Sequence, residues 1–314
     1  MSSDGGAFPR FDVAADASEH SYLTKHQNKA ICSPNISADT HKQIMREWRI
    51  LEKHLPDSIW VRVYENRIDL LTAAIAGSQG TPYHDGLYFF DIRFPHDYPN
   101  SPPWVRYRSF GFRMNPNLYA NGRVCLSLIN TWVGNRTEKW NPGDSTILQL
   151  LISIQGLVLN ERPYYNEPTL GVLPRMFSGD KMSNVYSEDT FVLSCKTMLC
   201  LLRRPPKGFE SLVKSHFKER GFEILSAMMA YRSGECRVGC YGIGDGGGSS
   251  VQGRKGQPPR KFRAEIKQLV PLLATAFAGT GASVGNFVEQ LAGEKVERDR
   301  GCACFCLSFL FSSL

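Results

Sequence analysis

No stretch of this 314-residue chain approaches the roughly 18 to 20 apolar residues that a membrane-crossing helix needs, so no such helix is expected. The opening Met1-Ser-Ser-Asp-Gly-Gly has no basic region followed by an apolar run, so no secretory signal is expected either. Cysteine is too sparse for a disulfide scaffold. There are nine, an odd number, at 32, 125, 195, 200, 236, 240, 302, 304 and 306, which fits a reducing compartment, cytosol or nucleus. Charge of one sign is not in large excess: 37 Lys+Arg against 30 Asp+Glu leave +7, a statement about solubility and steering rather than nucleic-acid binding. With 42% apolar and 21% charged residues, the composition excludes wholesale disorder and collagen-like structure. There is no internal repeat.

What is there divides along the chain. Residues 1–38 are polar and unpatterned, and read as a flexible lead-in. Ser37 or Asp39 is placed to cap a helix in which Ile44, Trp48, Leu51 and Leu55 form an apolar stripe. Lys42, Arg46, Arg49 and Lys53 make its outer face basic. Alternation predicts strands over Ile59–Val63 and Tyr88–Phe94, with two more over Ile68–Ala76 and Val105–Ser109. Helix then four-strand antiparallel meander is an α+β opening. Ile147–Leu159, apolar on nearly every face, predicts a central buried helix. Further helices are expected over 190–204, ended by Pro205-Pro206, and over 209–217. The core domain is thus placed at 39–205, a helical extension at 206–235 and a Gly/Ser/Pro-rich linker at 236–262. For 263–314 a weakly ordered tail is expected, with one short helix disturbed at Pro271.

The most informative stretch is Phe94-Pro-His-Asp-Tyr-Pro-Asn-Ser-Pro-Pro103, then Met114-Asn-Pro-Asn117, then Asn121-Gly-Arg-Val-Cys125-Leu-Ser-Leu. The prolines at 95, 99, 102, 103 and 116 cannot sit in a central strand or a helix interior. They stiffen an irregular segment, which suits the positioning of a reactive group.

Phe94-Pro-x-x-Tyr-Pro-x-x-Pro-Pro103, the x-Pro-Asn triplet eight residues before a cysteine, and Asn-Gly before Val-Cys-Leu together resemble the ubiquitin-conjugating enzymes. Trp140-Asn-Pro142 and Leu150-Leu-Ile-Ser-Ile-Gln155 extend the resemblance over about residues 39–175. Asn115-Pro-Asn117 in place of the usual His-Pro-Asn, the longer link Thr131–Trp140, and Pro163-Tyr-Tyr-Asn-Glu-Pro168 look most like the large divergent subgroup of hybrid conjugase–ligases and their plant relatives. The resemblance implies the ubiquitin-conjugating fold: an N-terminal helix, a four-strand antiparallel meander and C-terminal helices. It further implies an enzyme that takes ubiquitin from the activating enzyme as a thioester on Cys125 and passes it to a substrate lysine. No metal or organic cofactor is implied, because ATP is consumed by the activating enzyme.

The chemistry of the residues agrees. A thiolate is both a strong nucleophile and a good leaving group, as a carrier of an acyl group must be. By the resemblance, Asn117 supports the oxyanion of lysine attack or holds the loop. The acidic residue that activates the lysine aligns with Asn160, with Glu161 beside it. Lys42, Arg46, Arg49 and Lys53 match where relatives meet the activating enzyme, and Asn100 and Pro142 match the two loops that meet a ligase. Asn100 replaces an apolar contact side chain there. Each residue also has a plainer reading: Cys125 as a small buried hydrophobe, Asn117 as a turn residue, the basic face as solvated charge. Arg203–Lys207 and the basic residues of 254–263 read as solvated charge, or as nuclear-targeting or nucleic-acid contacts; no nucleic-acid partner is expected. Cys302–Phe311 lacks zinc-finger spacing and reads as an apolar or palmitoylated tail. His84 and His96, on loops, raise a Cys–His hydrolase as a weaker reading. The alternative from another class is a non-catalytic scaffold of the same fold that binds ubiquitin or a ligase.

Overall fold

The computed structural model describes residues 8–23, 36–167, 179–242, 257–285 and 287. In chain order it contains β1 (Phe11–Ala14), α1 (Ala38–His54), β2 (Ile59–Tyr64), β3 (Leu70–Ala76), β4 (Leu87–Arg93) and β5 (Trp104–Tyr107). Then follow α2 (Ile147–Ser153), α3 (Gly179–Arg203), α4 (Glu210–Ser233) and α5 (Arg260–Thr280). The strands form one sheet in the order β1-β2-β3-β4-β5, giving the α+β fold expected. β2 to β5 are the antiparallel meander; β1 adds a fifth strand parallel to β2. That strand corrects the reading of residues 1–38 as flexible throughout. Its four residues are too few to carry a pattern that stands out, and its partner lies 50 residues on (Phe11↔Val61).

Strand periodicity gives the sheet two unlike faces. One row in register runs Val61↔Ala73↔Phe90↔Tyr107 and enters the first core, against Ile44 and Leu51 of α1 and Ile147, Leu150 and Leu151 of α2. The adjacent row, Arg62↔Thr72↔Asp91↔Arg106, is polar and lies on the opposite face. One step further on that face, Ala74, Leu87 and Phe89 join a second core built from α3, α4 and α5. An apolar residue at every β4 position from Leu87 to Phe90 therefore reflects burial on both faces, not a break in the alternation.

α1 begins at Ser37, whose hydroxyl accepts the Thr40 N–H. Lys42, Arg46, Arg49 and Lys53 are all exposed. Glu47, on the same helix, is buried: it accepts the Tyr98 hydroxyl at 2.7 Å and the Ile147 N–H, at the α2 N-terminus, at 2.9 Å. One carboxylate thus joins α1, the proline-rich loop and the positive end of α2. α2 ends in a widened turn over Ile154–Val158, where the Leu159 N–H reaches back to the Ile154 carbonyl. The expectation that this segment is buried all round is corrected at Ile152 and Leu157, 47% and 63% exposed.

The C-terminal half departs further from expectation. α3 starts at 179 rather than 190, and α4 runs on to 233. The expected short helix is a 21-residue α5 that passes through Pro271. Its Ile266, Leu269, Val270, Leu273, Ala274 and Phe277 are buried on both sides of the proline, and this packing offsets the roughly 3 kcal/mol or more that an interior proline costs a helix. The start of the expected linker is also tied down, since the Gly239 and Tyr241 N–H groups donate to the Tyr231 hydroxyl. Residues 243–256 and the cysteine-rich Cys302–Phe311 lie outside the described residues.

Candidate active site around Cys125

Cys125 follows the irregular segment that leaves β5. Its backbone N–H donates to the Asn117 carbonyl at 2.9 Å, and the Asn117 side-chain amide donates to the Cys125 carbonyl at 2.8 Å. The two residues therefore clasp each other reciprocally. Asn117 is spent on the main chain of Cys125, so of its two expected roles this geometry is that of loop support.

Asn115 sits behind the clasp with no solvent exposure. Its Oδ1 accepts the Asn117 N–H at 2.8 Å and Asn166 Nδ2 at 3.3 Å; its Nδ2 donates to the Tyr83 hydroxyl and the Val158 carbonyl, each at 2.7 Å. Two donor protons and two lone pairs are all used. The widened end of α2 leaves the Val158 carbonyl free to accept both Asn115 and Asn166. Asn160 extends the same chain, its Nδ2 donating to Asn166 Oδ1 at 2.7 Å and to the Leu157 carbonyl at 2.8 Å. Four asparagines thus run from the turn after α2 to the cysteine.

The Cys125 residue is 1% exposed. Burial pushes its thiol above the ordinary value of 9.0; Arg123, a hydrogen bond with the Tyr119 hydroxyl, and Arg113 oppose that rise. The Tyr119 ring lies under both guanidinium groups, 4.8 Å from Arg113 and 5.8 Å from Arg123. The Arg113 guanidinium in turn lies 3.9 Å from the Glu167 carboxylate.

Asn160 and Glu161 are therefore separated in role. Asn160 is committed to the asparagine chain, and Glu161, its side chain 72% exposed, pairs with Arg162 at 3.7 Å. Neither makes a hydrogen bond or ion pair with Cys125 or Asn117 among the described residues. Glu167, which sequence reasoning passed over as one letter of Pro163–Pro168, is the carboxylate linked to the cysteine's surroundings. Asn100 and Pro142 are both exposed. Their loops are joined because the Trp140 indole donates to the Pro99 carbonyl at 2.7 Å.

His84 is not the exposed loop residue expected. It is 2% exposed, held between Asp85 at 2.7 Å and the Tyr231 hydroxyl at 3.0 Å, and stacked on Phe191. That setting fastens the loop before β4 to α3 and α4. His96 is exposed, its carbonyl accepting the Thr40 hydroxyl. Among the described residues no group of three or more His, Cys, Asp or Glu is placed to hold a metal ion. No helix among them is long and apolar enough to cross a membrane.

Residues 43–187 match the family model of the ubiquitin-conjugating enzymes. The putative ubiquitin-conjugating enzyme E2 38 of Arabidopsis thaliana is 44% identical over 274 residues, covering 87% of this chain and 82% of its own. The probable ubiquitin-conjugating enzyme E2 25 of the same plant is 54% identical over 227 residues, 72% of this chain and 37% of its own. The human dual E2 ubiquitin-conjugating enzyme/E3 ubiquitin-protein ligase BIRC6 is 39% identical over 198 residues, 60% of this chain and 4% of its own. This chain thus spans most of the first of these relatives but well under half of the other two. Plant enzymes and a hybrid conjugase–ligase are the subgroup to which its asparagine triplet and long cysteine–tryptophan link point, and the chain belongs to the ubiquitin-conjugating enzyme family.

Proposed function

We propose that the chain carries ubiquitin as a thioester on Cys125 and transfers it to a lysine of a protein substrate. The supporting observation is the reciprocal clasp of Asn117 and Cys125, backed by an asparagine chain with its hydrogen-bond capacity used. In the first step the Cys125 thiolate attacks the ubiquitin carbonyl held on the activating enzyme, and that enzyme's thiolate leaves. In the second a neutral lysine amine attacks, the C–S bond breaks, the amine loses a proton and the Cys125 thiolate is regenerated. The protein's contribution is positional: the main chain on both sides of the sulfur is fixed, and Arg113 and Arg123 bring positive charge to where negative charge develops. Glu167, tied to Arg113, is the carboxylate best situated to accept the proton that the attacking amine loses. No cofactor enters these steps, ATP being used by the activating enzyme. The exposed basic face of α1 supports docking of that enzyme, and the joined loops of Asn100 and Pro142 support docking of a ligase.

Incubation with activating enzyme, ATP and ubiquitin should give an adduct that reductant removes. Cys125→Ser should give none, or a reductant-resistant ester. The buried thiol favours a second reading, a non-catalytic scaffold; a folded protein that never charges with ubiquitin would establish that reading instead.

A further inference from the structure

Most arginines facing the sheet and the Cys125 loop have a partner. Arg62 pairs with Asp12 at 2.6 Å, Arg93 lies over Trp104, and Arg113 and Arg123 lie over Tyr119. Arg106 and Arg108 are different. Among the described residues neither guanidinium has a carboxylate within 4.0 Å, a hydrogen-bond acceptor or an aromatic ring. Arg106 also stands directly opposite Arg123 in an antiparallel bridge, and like charges facing each other across a ladder are destabilising.

The two unpartnered arginines line a surface cleft of about 300 Å³, together with Ser21, Ser109, Asn121 and Asp91. Asp91, opposite Arg106 in the β4–β5 register, offsets one of the two charges and leaves a net +1. Its side chain is 7% exposed and already accepts the Thr72 hydroxyl and the Ser21 N–H, each at 2.9 Å. The cleft is concave and has a net positive charge, with two forked donors unpartnered among the described residues, which is the chemistry that receives a carboxylate or a phosphate. Its position is informative as well. Three residues separate Asn121 from Cys125, so the Asn121 rim of the cleft lies within about 14 Å of that cysteine, Cα to Cα.

Resting on the reading of Cys125 as the ubiquitin carrier, we propose that this cleft binds an acidic segment of the protein substrate about four residues from the lysine to be modified. At about 3.3 Å per extended residue, that spacing spans about 13 Å, close to the limit set by the chain between Asn121 and Cys125. The bound carboxylates would relieve the Arg106–Arg123 repulsion and leave the lysine facing the thioester. Substrate choice would then be built into the conjugating domain itself.

The test uses the full chain and fluorescent 12-residue peptides with one lysine, four residues from three Glu, three Gln or one phosphoserine. Anisotropy should show the Glu peptide binding at least about tenfold tighter than the Gln peptide, the size of one charge-assisted contact, with the advantage shrinking as salt rises. The phosphoserine peptide distinguishes phosphate from carboxylate as the better anion. R106E/R108E should abolish the discrimination, R106K/R108K should keep most of it, and both variants should charge with ubiquitin like the parent. Equal binding of Glu and Gln peptides, or discrimination that survives R106E/R108E, overturns the proposal. So does equally effective competition by a single-stranded oligonucleotide. Normal charging without discrimination removes this proposal alone; discrimination without charging removes the carrier reading and leaves an acidic-peptide site.

Discussion

Replacing Asn115 with alanine tests whether the asparagine chain holds the site together. The side chain has no solvent exposure and makes four hydrogen bonds. Three of its partners keep a second contact after truncation: Val158 O and Asn166 Nδ2 still meet at 3.1 Å, and the Tyr83 hydroxyl still reaches Met114 O at 3.4 Å. The Asn117 N–H keeps none. An orphaned buried donor costs about 1–3 kcal/mol, and the space left by the amide adds about 1 kcal/mol. The sum, about 2–4 kcal/mol, corresponds to a melting temperature lower by roughly 5–12 °C for a domain of this size. Because the lost bond anchors Asn117, discharge of the charged enzyme onto lysine should slow by more than charging does. Asn115→Asp separates hydrogen bonding from shape. It keeps the size but sets an oxygen against the Val158 carbonyl, so it should be at least as damaging as alanine. Calorimetry and single-turnover discharge measure both effects. An alanine variant within about 1 °C of the parent, or an aspartate variant that melts like asparagine, would refute the account.

Three further outcomes follow from particular contacts. Burial raises the Cys125 thiol above 9.0 while Arg123 and Arg113 hold it down, so its alkylation rate should still be climbing at pH 9, and Arg123→Ala should move the midpoint higher; a plateau below pH 8 would contradict this. His20 is buried against the Leu71 carbonyl, 3.9 Å from Asp91, and desolvation lowers its pKa below 6.5. Its contribution to stability is therefore fully present above pH 6.5 and is lost as pH falls towards the folded value, by at most about 1.4 kcal/mol per pH unit; denaturation of the parent and His20→Gln between pH 7 and 5 reads that difference. Pro271→Ala restores a helical N–H in α5 and should stabilise by about 1–3 kcal/mol, visible as a higher melting temperature, whereas a loss would show that the proline shapes the packing of α5.

The parts of this fold legible in the sequence are those set by local rules. Two of the four meander strands, 59–63 and 88–94, announce themselves by alternation, and α1 by Ser37 and its apolar stripe, because capping and periodicity act within a few residues. β1 was hidden because a four-residue parallel strand owes its existence to β2, not to its own letters. The length of α5 was hidden because Pro271 is a strong local signal that a distant core overrides. His84 looked like a loop histidine and is buried, since the residues that cover it, Phe191 and Tyr231, come from helices more than 100 positions away.

The site divides in the same way. Cys125 and Asn117 could be read from their spacing and flanks, but the division of labour among four asparagines could not. An amide in a sequence does not say which carbonyl it will meet. Asn160 was matched to an acidic position by alignment alone, and its amide turns to Asn166, while the carboxylate coupled to the cysteine's surroundings is Glu167, through Arg113. An acid at 160 would lose the donor that Asn166 Oδ1 and the Leu157 carbonyl both require. Asparagine at 160 is thus consistent with asparagine at 115: together they replace charged or aromatic groups by amides that donate and accept at once, and a chain of such amides can be closed without leaving a buried charge.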